Sequence, residues 1–261
     1  MCIRDSVIDV LREYARLHLR LAPYLWTAAA RMVGEGRPIQ RPLGLAYPSL
    51  GVHPDDTYLL GSDLLVAPIL DRGARTRDVI LPPGAWTDWW TGARVEGAPL
   101  RGVAAPLDRL PLFLRAGALV PMLGPEIDAI EPSSDPRVRS FASGARELWW
   151  RGSTSDEASG EAYDGSRALV RPTASGAEVE VVAGSDDVGT ITLELWAGPR
   201  TPSFAVEVDG APLGETTGDF AASAPGWAFD DAGAGAANGG RLLIRVASGG
   251  PGVSHLVRIW R

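Results

Sequence analysis

The fold is decided by GSDLLVAPIL at residues 61–70, VILPPGAWTDWWTG at residues 79–92 and LDRLPLFLRAGALVP at residues 107–121. Short apolar runs alternate here with turn residues. In Pro82-Pro83-Gly84, for example, proline fixes φ and glycine accepts a positive φ. The run at residues 85–90 is aromatic and β-prone. The whole pattern predicts an antiparallel β meander or sandwich with one packed face.

A helix is predicted on the amino-terminal side of this stretch. Apolar residues recur there at steps of three and four, at Val7, Leu11, Tyr14, His18, Leu21, Leu25, Ala28 and Met32. Pro23 should kink or restart the helix because it removes a backbone hydrogen bond and clashes with the preceding turn. Gly34 and Gly36 should end it. Residues 38–47 then alternate in a way that predicts a strand.

A second β-rich region is predicted on the carboxyl-terminal side. After an irregular connector, short β-prone runs recur at 147–151, 168–172, 177–182, 189–196, 203–208, 241–246 and 254–260. Asp209-Gly210 is typical of a type I′ hairpin turn, and residues 232–240 form a Gly/Ala/Asn loop. These signals indicate a second antiparallel sandwich.

A family resemblance rests on four ordered blocks. The three blocks quoted above, together with RLHLRLAPYLWTAAARMVGEGRPIQRPL at residues 16–43, resemble the region that follows the catalytic barrel in glycoside hydrolase family 31. That family contains α-glucosidases, α-xylosidases and their relatives. The order and approximate spacing of the blocks match over roughly the first half of the chain. The resemblance implies that residues 16–43 hold the last helix and the eighth strand of a (β/α)₈ barrel.

The expected fold class is therefore mainly β, with two antiparallel β-sandwich domains preceded by the last helix and strand of a truncated (β/α)₈ barrel. Because one helix and one strand cannot close a barrel, we expect the chain to be a fragment. Met1 to Ser6 reads like a translated adapter rather than native sequence. The predicted organisation is 1–6 scar, 7–48 end of the barrel, 49–125 proximal sandwich, 126–143 linker and 144–261 distal sandwich.

Five aspartates are candidates for the catalytic acids: Asp55, Asp56, Asp63, Asp88 and Asp108. Glycosidases need two carboxyl groups about 5–5.5 Å apart for retention or about 6.5–9.5 Å apart for inversion. The adjacent side chains at 55 and 56 should diverge, and the other three aspartates lie beside turns with no evident partner. We therefore expect all five to have turn or capping roles.

Aromatic residues offer another kind of site, since Trp86, Trp89 and Trp90 resemble a sugar-stacking platform. Tryptophan in a β-sandwich more commonly fills the core or a domain contact, so we favour packing. Strand alternation predicts that Trp86 and Trp90 share one face, with Trp89 opposite. His18 is expected to be a packed helix residue rather than a ligand.

No catalytic residue is predicted in this chain. The resemblance implies an aspartate nucleophile in a Trp-x-Asp-Met-Asn-Glu-like segment and a second aspartate as the acid/base, and both would precede residue 7. One cysteine and three scattered histidines give no metal-ligand spacing. The sequence contains no G-x-x-x-x-G-K-[ST] loop. We predict no cofactor and no metal, and leave the substrate-binding residues unassigned.

Composition restricts the possible partners. A net charge of −7 over 261 residues argues against a broad nucleic-acid surface. The single cysteine, Cys2, excludes an intrachain disulfide. No apolar run reaches the ~18 residues of a membrane span, and no secretion signal opens the chain. These features favour a soluble, cytoplasmic protein without a membrane partner. Oligomeric state stays open.

Two functions follow from the sequence. The first is the carboxyl-terminal fragment of a retaining α-glycosidase that hydrolyses O-glycosyl bonds in α-linked oligosaccharides or glycosides. On this hypothesis the chain is inactive by itself because the nucleophile and the acid/base lie upstream. The alternative is a non-catalytic carbohydrate-binding or structural β-sandwich module. That alternative accounts for the tryptophan content and the missing acids.

Overall fold

A computed structural model describes residues 5–142, 146–185, 188–216, 220, 224–230 and 240–261. The helices are α1 (Asp5–Arg20), α2 (Ala22–Glu35) and α3 (Leu43–Ala46). The strands of the first half are β1 (Gln40–Pro42), β2 (Tyr58–Leu60), β3 (Leu64–Val66), β4 (Thr76–Ile80), β5 (Ala85–Asp88), β6 (Arg94–Glu96), β7 (Pro99–Ala104), β8 (Leu112–Arg115) and β9 (Val120–Leu123). The second half adds β10 (Glu147–Ser153), β11 (Ala158–Glu161), β12 (Arg167–Thr173), β13 (Gly176–Val182), β14 (Thr190–Trp196), β15 (Ala205–Val208), β16 (Ala211–Pro212), β17 (Gly226–Asp230), β18 (Arg241–Ala247) and β19 (Ser254–Trp260). The predicted mainly β class is confirmed.

The helical segment restarts where proline predicts it. The first helix ends at Arg20, and Pro23 lies in the first turn of α2, where a missing N–H costs nothing. Gly36 closes α2 in the left-handed conformation with φ 67°, and its N–H donates to the carbonyl oxygen of Met32. The predicted restart and the predicted end are both confirmed. The predicted scar at residues 1–6 lies largely outside the described residues, which begin with Asp5.

The buried face of the helices differs from the predicted one. Leu21, Tyr24 and Ala28 are buried, whereas Val7, Leu11 and Met32 are exposed. His18 is exposed as well, so the expectation that it packs was wrong. The break at Leu21 interrupts the helical period, and Tyr14 and Leu17 form the half-buried side of α1. The outward side of α1 consequently displays apolar residues.

The predicted strand over residues 38–47 was too long. Only Gln40–Pro42 is extended, and it pairs antiparallel with β2. The next four residues form the helical turn α3, which buries Leu43 and leaves Leu45 56% exposed. Alternation placed both leucines on one face, but a helical turn separates them. Assignment of this segment to the eighth strand of a barrel stays an inference from the resemblance.

The first half is built around one six-stranded sheet in the order β1-β2-β3-β8-β5-β6, with antiparallel pairing throughout. Its strand β3 alternates between two cores. Leu65 packs with the β4–β7 pair and α3, whereas Leu64 and Val66 pack with Leu21 and Tyr24 from the helices. The sheet is therefore covered on both faces, and the expectation of a single packed face was wrong.

The second half is a sandwich of two sheets, ordered β17-β18-β14-β10-β9 and β11-β12-β13-β19-β15-β16. Its core contains Trp150, Leu193, Val179 and Ile244. Every pairing in these sheets is antiparallel except β10 with β14, which is parallel and corrects the expectation of a fully antiparallel sandwich. The alternation predicted for β13 is confirmed, since Val179 and Val181 are buried and Glu178 and Glu180 are half-exposed.

Some loops and short strands have a local sequence pattern that predicts them, and others do not. Asp209 and Gly210 have φ of 54° and 83° and join β15 to β16, which confirms the predicted type I′ turn. Strands β11 and β17 were not predicted, because glycine and polar residues interrupt their short apolar patterns. The predicted loop at residues 232–240 lies, except for Gly240, outside the described residues.

One strand crosses between the two halves. β9 belongs to the predicted proximal sandwich by sequence, but it pairs antiparallel with β10 of the distal sheet, with Met122 opposite Trp149. Residues 124–142, which follow β9, form an irregular connector held by a bridge between Ala129 and Ser140. The predicted domain ranges remain a prediction.

Candidate functional site

The adjacent pair Asp55 and Asp56 lies in a turn. Asp55 is exposed, whereas Asp56 accepts hydrogen bonds from Thr57 at 3.1 Å and forms an ion pair with Arg77 at 2.8 Å. Burial raises the pKa of Asp56, but the hydrogen bond and charge of Arg77 outweigh it and hold that pKa below its ordinary value. Asp56 therefore has a structural role and faces a guanidinium group.

Asp63 lies beside the buried hydroxyl of Tyr24. That hydroxyl donates to the carbonyl oxygen of Leu60 at 2.9 Å and accepts the backbone N–H groups of Ser62 and Asp63, each at 3.0 Å. The Asp63 carboxylate forms an ion pair with Arg115 at 3.0 Å. Desolvation, together with the nearby charge of Asp63, raises the pKa of Tyr24, so this hydroxyl stays neutral. The contact fastens α2 to the β2–β3 turn.

The two remaining candidate aspartates also lie at turns. Asp88 accepts hydrogen bonds from the backbone N–H groups of Trp90 and Thr91 at 3.0 and 2.8 Å, which confirms its predicted turn role. Asp108 is exposed, and its carbonyl oxygen accepts the Tyr14 hydroxyl at 3.2 Å. The contacts that the structure gives the Asp56, Asp63 and Asp88 carboxylates lead to arginine, hydroxyl or backbone groups.

Of the three candidate tryptophans, Trp86 and Trp89 fill cores and Trp90 packs at the edge of one, as favoured from the sequence. Trp86 and Trp89 are 0% and 1% exposed, and the indole N–H of half-buried Trp90 donates to the carbonyl oxygen of Leu110 at 2.7 Å. The predicted pairing of faces was wrong. Trp86 packs with β4–β7, while Trp89 and Trp90 both face the helices, because β5 ends at Asp88 and alternation stops there.

A buried ionic cluster, which sequence reasoning missed, links the helices to the distal sheet. Glu194 on β14 accepts a hydrogen bond from Arg20 at 3.3 Å and another from Arg241 at 3.0 Å, and it lies 3.5 Å from Arg151. The Arg151 guanidinium stacks over Trp89 at 3.9 Å. A usable signal was present in the sequence, because Thr192 and Glu194 interrupt an apolar run that is buried on both faces.

Two carboxyl groups influence one another in the same layer. Glu147 Oε1 accepts Thr192 at 2.5 Å and Arg245 at 2.7 Å, and its charge acts on Glu126 of the connector. Burial raises the pKa of Glu126, and the charge and hydrogen bond of Glu147 raise it further against the opposing pull of a backbone hydrogen bond. Within the described residues the buried Glu126 Oε2 makes no hydrogen bond, whereas Arg245 pairs with Glu147 at 2.7 Å and gives this layer a structural character.

We expect Glu126→Gln to change the pH dependence of stability. A raised folded-state pKa stabilises the protonated form, so the wild-type contribution is full below the ordinary glutamate value of 4.5 and is lost as pH rises towards the folded value. Each unit between the two pKa values corresponds to about 1.4 kcal/mol. Urea unfolding should show the variant gaining stability over the wild type as pH rises above 4.5.

Glu131→Gln, in the exposed part of the same connector, is the matched control and should follow the wild-type pH profile. If Glu126→Gln and the wild type have parallel profiles from pH 4 to 8, the raised pKa of Glu126 is refuted.

A cavity of about 740 Å³ lies between α2, the β2–β3 turn and strands β11–β13. Four arginines line it, at Arg31, Arg41, Arg115 and Arg167, together with the carboxylates Asp63, Glu161 and Glu180. Tyr24 and Ser62 supply hydroxyl groups on its wall. Residues from both halves of the chain line the cavity, so local sequence motifs could not predict it.

The described residues include no cluster of three or more His, Cys, Asp or Glu side chains placed to hold a metal ion. Within the same residues, no helix is both long and apolar enough to cross a membrane.

Residues 36–120 match the model of the glycosyl hydrolase family 31 C-terminal domain. This segment comprises the six-stranded sheet of the first half and the β4–β7 pair. Residues 36–120 therefore resemble the family 31 C-terminal domain. The resemblance drawn from the quoted sequence blocks is thereby confirmed. The following strand, β9, begins at the last matched residue, Val120.

Two curated relatives are similar over less than half of the chain. A 1,3-alpha-isomaltosidase from Kribbella flavida is 42% identical over 116 residues, which are 43% of this chain and 16% of the relative. An alpha-xylosidase from Saccharolobus solfataricus is 33% identical over 126 residues, which are 47% of this chain and 17% of the relative. The family 31 similarity therefore spans about a sixth of the length of each relative.

Solved structures extend the likeness to the whole chain at the level of fold. A cycloalternan-forming enzyme from Listeria monocytogenes covers 97% of this chain with a TM-score of 0.76 and 22% identity, and 24% of that enzyme is covered. A GH31 dextranase from Flavobacterium johnsoniae covers 99% with a TM-score of 0.75 and 22% identity, and 33% of it is covered. The distal sandwich thus shares the fold of the structures that contain the family 31 domain.

Proposed function

We propose that this chain forms the carboxyl-terminal part of a retaining α-glycosidase that acts on α-linked oligosaccharides. The match of residues 36–120 to the family 31 C-terminal domain carries the proposal. The names of the relatives, an isomaltosidase and a xylosidase, supply the substrate class. Retention requires a carboxylate nucleophile and an acid/base. The carboxylates of Asp56, Asp63 and Asp88 instead make structural contacts.

The helical surface supports a role beside a further domain. Apolar side chains on α1 and α2 are exposed, with Leu11 and Trp26 each 67% and Val33 87% exposed. Exposed apolar surface of this kind is a feature of interaction sites. On our proposal the catalytic barrel covers it, and the Glu194 cluster and the Tyr24 hydroxyl hold these helices on the two β regions.

On this proposal the two catalytic carboxylates belong to the barrel, so we expect the purified chain to release no 4-nitrophenol from 4-nitrophenyl α-glucoside or 4-nitrophenyl α-xyloside. Turnover that survives further purification would contradict the proposed division of labour. A chimera supplies the positive arm. The Kribbella flavida isomaltosidase, with its equivalent region replaced by residues 36–261, should retain activity within about tenfold, whereas the same enzyme without the region should be inactive.

Carbohydrate binding by surface tryptophans is the competing function. The observation that motivated it is weakened, because Trp86 and Trp89 are buried and Trp90 is committed to Leu110. Calorimetry against maltose, isomaltose and xyloglucan fragments distinguishes the two functions. Binding of these sugars near millimolar affinity, about 4 kcal/mol, together with an inactive chimera, would favour the binding module.

A further inference from the structure

We propose that the cavity between α2, the β2–β3 turn and strands β11–β13 binds an oxyanion, either free or carried on a small sugar, through Arg41, Arg115 and Arg167. The cavity belongs to the carboxyl-terminal region itself, so the proposal does not depend on glycosidase activity.

Two of the four guanidinium groups that line the cavity have no carboxylate partner among the described residues. Arg31 pairs with Glu161 at 2.8 Å, and Arg115 pairs with Asp63 at 3.0 Å. The third carboxylate, Glu180, pairs with Arg171, which is not part of the lining, at 3.4 Å. Arg41 and Arg167 form no ion pair with any residue in the described ranges. An anion in the cavity would supply the charge that these residues do not.

Arg41 is the most constrained member of the lining. It is 5% exposed, its Nε donates to the carbonyl oxygen of Pro38 at 2.8 Å, and its Nη1 donates to the Ser62 hydroxyl at 3.1 Å. These two bonds fix the plane of the guanidinium group. Within the described part of the chain, Nη2 has no acceptor. A buried arginine is costly without a counter-charge, and a fixed guanidinium fork is well suited to an oxyanion.

The shape and lining of the cavity limit what the oxyanion is attached to. A volume of about 740 Å³ lies within the range of small-ligand sites. It exceeds what a bare phosphate or sulfate fills and leaves room for a sugar ring. Ser62, Ser159 and Glu161 also line the cavity, and their hydroxyl and carboxylate groups match the donors and acceptors of sugar hydroxyls. Phosphate, sulfate and sugar phosphates share the chemistry required.

The test is calorimetry of the full chain against sodium phosphate, glucose 1-phosphate and glucose, at constant ionic strength set with sodium chloride. We expect both phosphates to bind and glucose not to. Tighter binding of glucose 1-phosphate than of phosphate assigns the site to a sugar-borne oxyanion, whereas equal affinities assign it to the free anion. Binding of glucose as tight as that of glucose 1-phosphate, or no heat from either phosphate, would overturn the proposal.

Variants locate the binding to the cavity. Arg167 is exposed, so the variant Arg167→Gln should fold. We expect this variant to weaken phosphate affinity at least tenfold. Arg258→Gln is the matched control, since it removes the same charge from β19 of the same sheet, at an ion pair with Glu178 outside the cavity lining, and it should change affinity by less than twofold. Equal losses in both variants would show general charge attraction and refute the site. Arg41→Gln should abolish binding, with thermal melting as the check that it folds.

Discussion

Glu194→Gln is expected to lower the free energy of unfolding by about 3–5 kcal/mol, since removal of one partner from a buried ion pair leaves uncompensated charge. Glu194 is 3% exposed and is the shared acceptor for Arg20 and Arg241. Arg151, whose ion pair with Glu194 spans 3.5 Å, would keep its stack on Trp89 but lose its counter-charge. Urea denaturation at pH 7 measures the loss.

Protonation of Glu194 is expected to lower the free energy of unfolding, as Glu194→Gln does. Burial raises the pKa of Glu194, but the charges of Arg151, Arg20 and Arg241 outweigh burial and hold the pKa below its ordinary value. A lowered folded pKa contributes stability above the unfolded value, and that contribution is lost as pH falls through the folded value. The wild type should therefore approach the stability of Glu194→Gln in acid.

Glu180→Gln serves as the control for Glu194→Gln. Its partner Arg171 lies at 3.4 Å, and both side chains are more than 40% exposed. Pairs of this kind contribute about 0–1 kcal/mol. If Glu194→Gln costs no more than Glu180→Gln, the buried cluster does not hold the helices on the distal sheet.

Gly61→Ala is the second substitution with a large expected effect, about 3–5 kcal/mol. Gly61 has φ 66°, a conformation that costs an alanine about 1–2 kcal/mol. A Cβ at this position would lie 2.1 Å from the Tyr24 hydroxyl. Because that hydroxyl makes three backbone hydrogen bonds, Tyr24 cannot move aside without losing them, at about 1 kcal/mol each.

Gly73→Ala isolates the backbone contribution. Its φ is 85°, and no atom lies within 4 Å of the added Cβ, so only the conformational cost of about 1–2 kcal/mol applies. The double variant Gly61→Ala with Tyr24→Phe should cost less than the sum of the two single variants, because the phenyl ring leaves space for the methyl group. Strict additivity, or equal losses at Gly61 and Gly73, would refute the steric account.

Local signals in the sequence predicted much of the fold. Proline at position 23, glycine at position 36 and the Asp209-Gly210 pair were each read correctly, because caps and tight turns depend on a few neighbouring residues. The alternation of β13 was also correct, since one face of that strand packs on the core and the other is partly exposed. Strand boundaries near Leu43 and Asp88 were wrong where a turn replaced the extended chain.

Features of the candidate site escaped prediction because they join distant segments. Glu194 and Arg20 are 174 positions apart, and Glu147 and Arg245 are 98 apart. Arg41 and Arg167 come together in the cavity only after α2 docks on the distal strands. Residue spacing does not report such contacts. The sequence-level conclusion that Asp56 and Asp88 are turn residues succeeded because it required only local geometry.

Strand β9 has a consequence for how this region can be recombined. It follows the family 31 sheet directly along the chain, yet its hydrogen bonds are made to β10 of the distal sandwich. A crossover in the connector would carry β9 with the donor of the first half and leave the recipient's β10 facing a foreign edge strand. A crossover at residue 120 would keep the β9–β10 ladder intact and would separate only the bridge between Ala118 and Ser159. Strand β9 is thus inherited with the distal sandwich, and the seam that permits exchange lies before β9 rather than in the connector.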